Sequence, residues 1–384
     1  MTSRGSADSL AMPTLDMETR ELSELAVRGL GPMFDPQSQL YCFRLNREGS
    51  AMVREGVSHR YTIMVLLGFH QREQAGLTSP VDVKSIFLKM LRESSWLTSL
   101  GDLGLLLWLC AVASPEHITE LWDRFDVSMS LSRYQEASEG RTMELSWLLT
   151  GLAHASLASL SDQCAGLDDL AGKCYSLLRD NQGDHGYFGH LARKGTLAGA
   201  LRGHIGSFAD QVYPILAFTK FSEAYKDGSA LDRALACAEG ICQVQGEQGQ
   251  WWWHYDSKTG RVAERYPVYS VHQHAMAPMA LLAIAKTHPE KAIPAIYKGL
   301  QWISGTNELG CDLRDTSHNL VWRCLYPKGY RRYVAIGAGA VGLRTDFQSR
   351  RSMAIRFECR PYELGWLLYA FPGVEVAVPA TRLG

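Results

Sequence analysis

The sequence lacks the features by which most function classes declare themselves. No apolar run reaches the ~18 residues of a membrane-spanning helix; the longest, residues 103–113, is about eleven. The stretch MTSRGSADSLAMPTLDMETRE at the N-terminus holds no apolar core of signal-peptide length. Neither sign of charge is in excess. Lys+Arg total 39 against 40 Asp+Glu, a formal charge of −1, so there is no electrostatic case for nucleic acid or an anionic membrane surface. A cytoplasmic protein with no membrane span and no nucleic-acid partner is the expectation. The nine cysteines never fall in C-x-x-C spacing, which argues against both a thiolate metal site and a disulfide framework. No GxGxxG opens a helix after a strand, and P-loop, GxSxG and HExxH motifs are absent. No cofactor and no metal are expected.

What is present is a helical chain. A hydrophobic content of 46% with 21% charged residues belongs to a globular protein rather than a disordered one. Residues 1–15 read as a flexible arm and 16–384 as one domain. Apolar spacing predicts helices over 16–30, 61–72, 81–92, 100–113, 115–125, 143–160, 163–179, 208–225, 230–244, 271–286, 289–303 and 361–371, with 32–57 an irregular connection. The best strand candidate is 333–341. The helices are of two alternating kinds. One kind has a polar or aromatic first turn and an apolar body, starting near Arg60-Tyr61, Asp102, Glu144, Asp210/Tyr213, His272/His274 and Arg360/Glu363. The other kind is amphipathic. A helix apolar nearly all round has to be buried on all sides, so six inner helices inside six outer ones are expected.

An internal repeat supports this. Gln182-Gly183-Asp184-His185-Gly186-Tyr187-Phe188 matches Gln245-Gly246-Glu247-Gln248-Gly249-Gln250-Trp251, with a weaker echo at Asn307-Glu308-Leu309-Gly310. The glycines recur at about 60 residues, one helical hairpin plus loops, where a left-handed residue can end an outer helix. Helical hairpins with such Q-G-x-x-G-aromatic loops resemble the (α/α)6 toroid superfamily. It includes six-hairpin glycosidases, sugar epimerases, polysaccharide lyases, uronyl C5-epimerases and, more distantly, prenyltransferases and squalene-type cyclases. The segment YPVYSVHQHAMAPMALLAIAKT is similar to a helix start of uronyl C5-epimerase-like domains. The resemblance implies an all-α toroid of six hairpins. Its substrate cleft would lie at the N-terminal ends of the inner helices, pointing to Arg60, Tyr61, Asp102, Glu144, Asp210, Tyr213, Tyr269, His272, His274, Arg360 and Glu363.

Each candidate has a functional and a bland role. Trp251, Trp252, Trp253 and His254 could stack on sugar rings or on a carbocation, although three tryptophans in a row cannot all point one way. His272 and His274 could serve as general acid or base because imidazole titrates near neutral pH; in a regular helix they diverge by about 200°. Asp102, Glu144, Asp210 and Glu363 could be catalytic or substrate-binding, or simply cap the first turn. A hydrolase needs two carboxylates about 5–10 Å apart. Arg265, Arg323 and Arg360 could neutralise a uronate, with Tyr266, Tyr269 or Tyr213 as phenolic base. The leading expectation is a carbohydrate-active enzyme (epimerase, lyase or hydrolase) binding a saccharide or small molecule. The alternatives are an isoprenoid cyclase and a non-catalytic glycan-binding toroid. The sequence leaves the oligomeric state open.

Overall fold

The computed structural model describes residues 8–285, 288–329 and 352–373. Its helices are α1 (Asp8–Leu30), α2 (His59–Gln74), α3 (Val83–Arg92), α4 (Leu100–Ala113), α5 (Ile118–Arg124), α6 (Val127–Glu136), α7 (Thr142–Leu157), α8 (Leu167–Arg179), α9 (Leu197–Arg202), α10 (Ala209–Tyr225), α11 (Gly228–Gln243), α12 (Ala277–Ala285), α13 (Pro289–Gln301) and α14 (Pro361–Ala370). The chain is helical from Asp8 onward, inside the stretch expected to be an arm. One turn of π-helix, His272–Met276, leads into α12. The segment 333–341 lies outside the described residues.

Burial separates the two kinds of helix. In α4 every residue except Val112 is buried, as an apolar circumference demands. In α3 the buried residues are Val83, Ile86, Phe87, Met90 and Leu91, a single stripe at helical spacing. The all-round apolar helices pack in sequence, α2 on α4, α4 on α7, α7 on α10, α10 on α12 and α12 on α14, and α14 packs back on α2 to close a ring. The amphipathic helices lie outside it: α1 against α14, α3 against α2 and α4, α5 and α6 against α4, α8 against α7, α11 against α10, and α13 against α12. This is the (α/α)6 toroid. Its closure depends on backbone contact, because a Cβ at Gly68 of α2 would sit 2.3 Å from the Gly365 carbonyl oxygen of α14.

The repeated loop explains how consecutive hairpins are joined. Gln182 Nε2 donates to the carbonyls of Gly186 and Arg233, both at 2.9 Å, tying its loop to α11. Gln245 Nε2 does the same at Gly249 (3.1 Å) and Ala295 (3.0 Å), tying the next loop to α13. Gly186 and Gly249 adopt φ of 83° and 104°, conformations that L side chains avoid. Each loop is also held by the following inner helix: Phe188 N donates to Gln211 Oε1 at 2.8 Å and Trp251 N to Gln273 Oε1 at 3.2 Å.

Short antiparallel strands decorate the ring, forming six sheets of two or three strands among the described residues. Residues 32–57, expected to be irregular, contain the hairpin Arg44–Glu48 with Ala51–Glu55, onto which Glu358–Cys359 pairs. Another sheet joins Ile205–Ser207, His254–Asp256 and Arg261–Glu264. Such strands are too short to leave a clear period-two pattern.

Candidate active site

The first turns of the inner helices are built by local capping. Ser58 Oγ accepts from Tyr61 N at 3.2 Å on α2, and Ser99 Oγ accepts from Asp102 N at 3.1 Å on α4. On α10 the carboxylate of Asp210 accepts from Ser207 N and Oγ, each at 2.8 Å. On α14 Glu363 Oε2 accepts from Arg360 N at 3.3 Å. Capping therefore accounts for part of what Asp210 and Glu363 do, and ion pairing for more. Arg60 grips Asp102 bidentately, Nε to Oδ1 at 2.7 Å and the terminal nitrogen to Oδ2 at 3.1 Å. Glu363 is wholly buried and bonded to Arg323. Burial pushes its carboxyl up to about 7, with Arg323 and Arg360 pulling against that.

Glu144 differs from these three. It stands in the first turn of α7, half-buried, and meets no hydrogen-bond partner among the described residues. Burial raises its carboxyl above the ordinary 4.5, while Arg141, Arg60 and His190 oppose the shift and Asp102 adds to it. His190, on the loop that follows Phe188, is the nearby titratable base. Its Nδ1 lies 2.9 Å from Asp210 Oδ2, with the imidazole 44% exposed and the carboxylate 1% exposed. That hydrogen bond raises the imidazole above its ordinary 6.5 in spite of partial burial.

One side of this region is rich in arginine. Glu358, buried, is reached by Arg360 Nε at 2.6 Å, Arg323 Nε at 3.4 Å, Arg44 at 3.7 Å and Arg356 at 3.9 Å. Arg360 also donates to the Tyr61 hydroxyl at 3.0 Å. Four guanidinium groups converge on one carboxylate; Arg323 is shared with Glu363 and Arg44 with Glu55, at 2.7 Å, so four arginines face three carboxylates and one positive charge is in excess. Tyr269 lies against Arg323, with 5.0 Å between guanidinium carbon and ring centroid.

The structure divides the aromatic and histidine candidates. Trp253 is half-buried and packs on Tyr269 and His254 at centroid distances of 4.7 Å each. Trp251 is fully buried against Phe208. Trp252 is buried too, its indole N–H given to the Val244 carbonyl at 2.7 Å, and Arg265 covers its ring. One tryptophan of three is thus left beside the site. Tyr213 lies in the ring core, its hydroxyl accepting from Trp366 Nε1 at 2.9 Å. The expectation that His272 and His274 titrate near neutral pH does not hold: both are buried, and burial pushes each imidazole down to about 3. His272 is wedged against Phe208 at 4.5 Å, and both ring nitrogens of His274 are without hydrogen-bond partners among the described residues. The π-turn at 272–276 does not bring both histidines into solvent. His254 instead hydrogen-bonds Glu264 at 2.8 Å, and Glu264 also pairs with Arg202.

Sequence reasoning missed His190, Glu358, Glu264 and His59. For His190 a signal existed, since it follows the repeated Gly-x-x-Gly-x-aromatic loop by two residues, close to where His254 follows its copy. Among the described residues no group of three or more His, Cys, Asp or Glu is arranged to hold a metal ion, and no helix is long and apolar enough to cross a membrane.

No family model matches the chain, and no curated protein is detectably similar to it in sequence. Solved structures are similar in fold. An unsaturated glucuronyl hydrolase specific for heparin superposes with a TM-score of 0.60 at 13% identity, over 93% of this chain and 97% of that one. A sugar epimerase from a ruminal bacterium gives 0.60 at 11%, over 93% and 98%. The unsaturated glucuronyl hydrolase of Bacillus sp. GL1 gives 0.58 at 14%, over 93% and 96%. At these identities the likeness speaks for architecture alone. The chain is an (α/α)6 toroid, the six-hairpin architecture that these three proteins share.

Proposed function

We propose that this protein is a carbohydrate-active enzyme that hydrolyses a glycosidic bond in a saccharide carrying a carboxylate. The observation that carries the reading is the contrast between Glu144, which has no partner, and His190, which is backed by buried Asp210. Burial raises the Glu144 carboxyl above its ordinary 4.5, and the Asp210 hydrogen bond raises the His190 imidazole above its ordinary 6.5; the proposed hydrolysis uses Glu144 as the carboxylate and His190 as the imidazolium. In that form His190 gives its proton to the departing glycosidic oxygen, and Glu144 takes one from the attacking water. Asp210 is a positioning residue that holds the imidazole and stabilises its charge. The arginines around Glu358 supply charge for a uronate, and two of the similar structures are named as glucuronyl hydrolases. Trp253 and Tyr269 offer aromatic faces.

Epimerisation is the second reading, favoured by the equal superposition on a sugar epimerase; the same pair would then remove and return a proton at carbon. The charged lining runs against an isoprenoid cyclase, which requires a dry aromatic pocket. The test is mass-spectrometric turnover of uronate-bearing and neutral oligosaccharides, run in H2(18)O and separately in D2O. Hydrolysis puts one (18)O into the released reducing end, and epimerisation puts deuterium on carbon with no new reducing end. Absence of turnover on every saccharide overturns the enzyme assignment, and equal turnover by Glu144→Gln overturns the role given to Glu144.

A further inference from the structure

A second pocket lies at the same end of the ring, between the start of α2 and the segment that leads into α4. It is an open depression of about 240 Å³ lined by Phe43, Ser58, His59, Arg60, Tyr61, Trp96 and Asp102. Two aromatic pairs form its sides. His59 stacks on Trp96 with centroids 4.8 Å apart and planes 6° apart, and Phe43 stacks on Tyr61 at 5.6 Å and 14°. Its polar groups are the Arg60–Asp102 pair and the Tyr61 hydroxyl. Asp102 also accepts from Ser99 Oγ at 2.9 Å, so the pair is held rigid from below. Arg60 keeps N–H groups that meet no acceptor among the described residues.

Three properties of this pocket bear on its ligand. Its volume is below the ~300–1,000 Å³ of sites that take drug-sized molecules and suits a single ring. Its accessible lining is mainly polar, which suits the hydroxyls of a pyranose, while Trp96 offers an aromatic ring to a C–H face. Its formal charge cancels, since Arg60 is matched by Asp102 and burial holds the His59 imidazole below its ordinary value and so uncharged at neutral pH. The arginine-rich side around Glu358 has the opposite character. Arg360 connects the two by its hydrogen bond to Tyr61.

We propose that this pocket is a binding subsite for an uncharged pyranose ring, seated against Trp96, with its hydroxyls bonded by Arg60 and Asp102. The inference rests on the carbohydrate reading above and deepens it: the substrate pairs a neutral sugar here with an acid-bearing sugar at the arginines.

The test is binding, so it does not depend on turnover. Saturation-transfer NMR and titration are run on the full-length protein with methyl β-D-glucopyranoside, methyl β-D-galactopyranoside and methyl β-D-glucopyranosiduronate. At least one neutral glycoside is expected to bind in the millimolar range. Trp96→Ala is expected to weaken it by about tenfold or more. Trp96→Leu and Tyr61→Phe serve as further variants should Trp96→Ala lose the native melting transition. The proposal is overturned if neither neutral glycoside binds, if the Trp96 and Tyr61 variants bind it as the parent does, or if the uronate competes for the same pocket with equal affinity. A protein that binds the neutral glycoside through Trp96 but turns over no saccharide keeps the subsite and loses the enzyme assignment.

Discussion

Of the four carboxylates in the first turns of the inner helices, Glu144 is the one without a hydrogen-bond partner among the described residues. Asp102 is taken by Arg60 and Ser99, Asp210 by Ser207 and His190, and Glu363 by Arg323. If Glu144 acts as a base and His190 as an acid, activity rises with pH as Glu144 ionises, above its ordinary 4.5, and falls as His190 deprotonates, above its ordinary 6.5. A bell-shaped kcat/KM profile with both limbs displaced upward is the expected outcome. Glu144→Gln should lower kcat by about 10²–10⁴-fold with little change in Tm. His190→Asn should remove the alkaline limb, and Asp210→Asn should move that limb to lower pH, since the group that stabilises the imidazolium is gone. An alkaline limb that stays in place in Asp210→Asn would separate Asp210 from the chemistry. Sequence spacing placed all four acids at helix starts but could not rank them, because what three of them pair with lies outside their own helices: Arg60 on α2 for Asp102, His190 on the loop before α10 for Asp210, and Arg323 on a segment far from α14 for Glu363.

At the level of elements, the repeated loop is the joint between hairpins. Gly249 has φ of 104°, and a Cβ there would lie 2.0 Å from the Lys298 carbonyl oxygen. Gly249→Ala therefore combines a strained backbone with displacement of α13, and a loss of roughly 2–4 kcal/mol is expected, read as a lower denaturation midpoint. Gln211→Ala leaves Phe188 N and O without their side-chain partner in a buried setting, and should cost about 1–3 kcal/mol. It should also loosen His190, two residues beyond Phe188, so activity is expected to fall more than stability alone explains. Chymotryptic cleavage near Phe188 that is faster in Gln211→Ala than in the parent checks this. The glycines and glutamines of the repeat were visible in the sequence. The reach of each glutamine to a carbonyl about 50 residues away was not, since it exists only once the hairpins stack.

The whole ring has its own pH dependence. His154, His272 and His274 are buried in it, each with its imidazole pushed down to about 3 by burial. The folded state holds all three neutral, whereas in the unfolded chain they take up protons below about 6.5. The stability they contribute is therefore complete above pH 6.5 and drains as pH falls towards 3, at about 1.4 kcal/mol per pH unit for each histidine. A steep fall in Tm between pH 6 and pH 4 is expected. His154→Phe, which keeps an aromatic against Trp108, should flatten it. A parent Tm that holds steady down to pH 4 would show that these rings are hydrated or paired in solution.

The sequence by itself determined the architecture, because the apolar circumference of one helix set and the single stripe of the other are written residue by residue, and only nested rings satisfy both. It also determined which end of the ring holds the polar first turns. The tertiary structure decided which of those side chains are left for a ligand. Trp251 and Trp253 are two apart in one loop, as His272 and His274 are in one turn, yet burial is set by what the neighbouring hairpins place against each. Phe208 and Gln273 meet Trp251, whereas Trp253 lies against Tyr269 and His254. Apart from Trp253 on its neighbour His254, those contacts join residues 16 or more apart in the chain, and no local pattern encodes them.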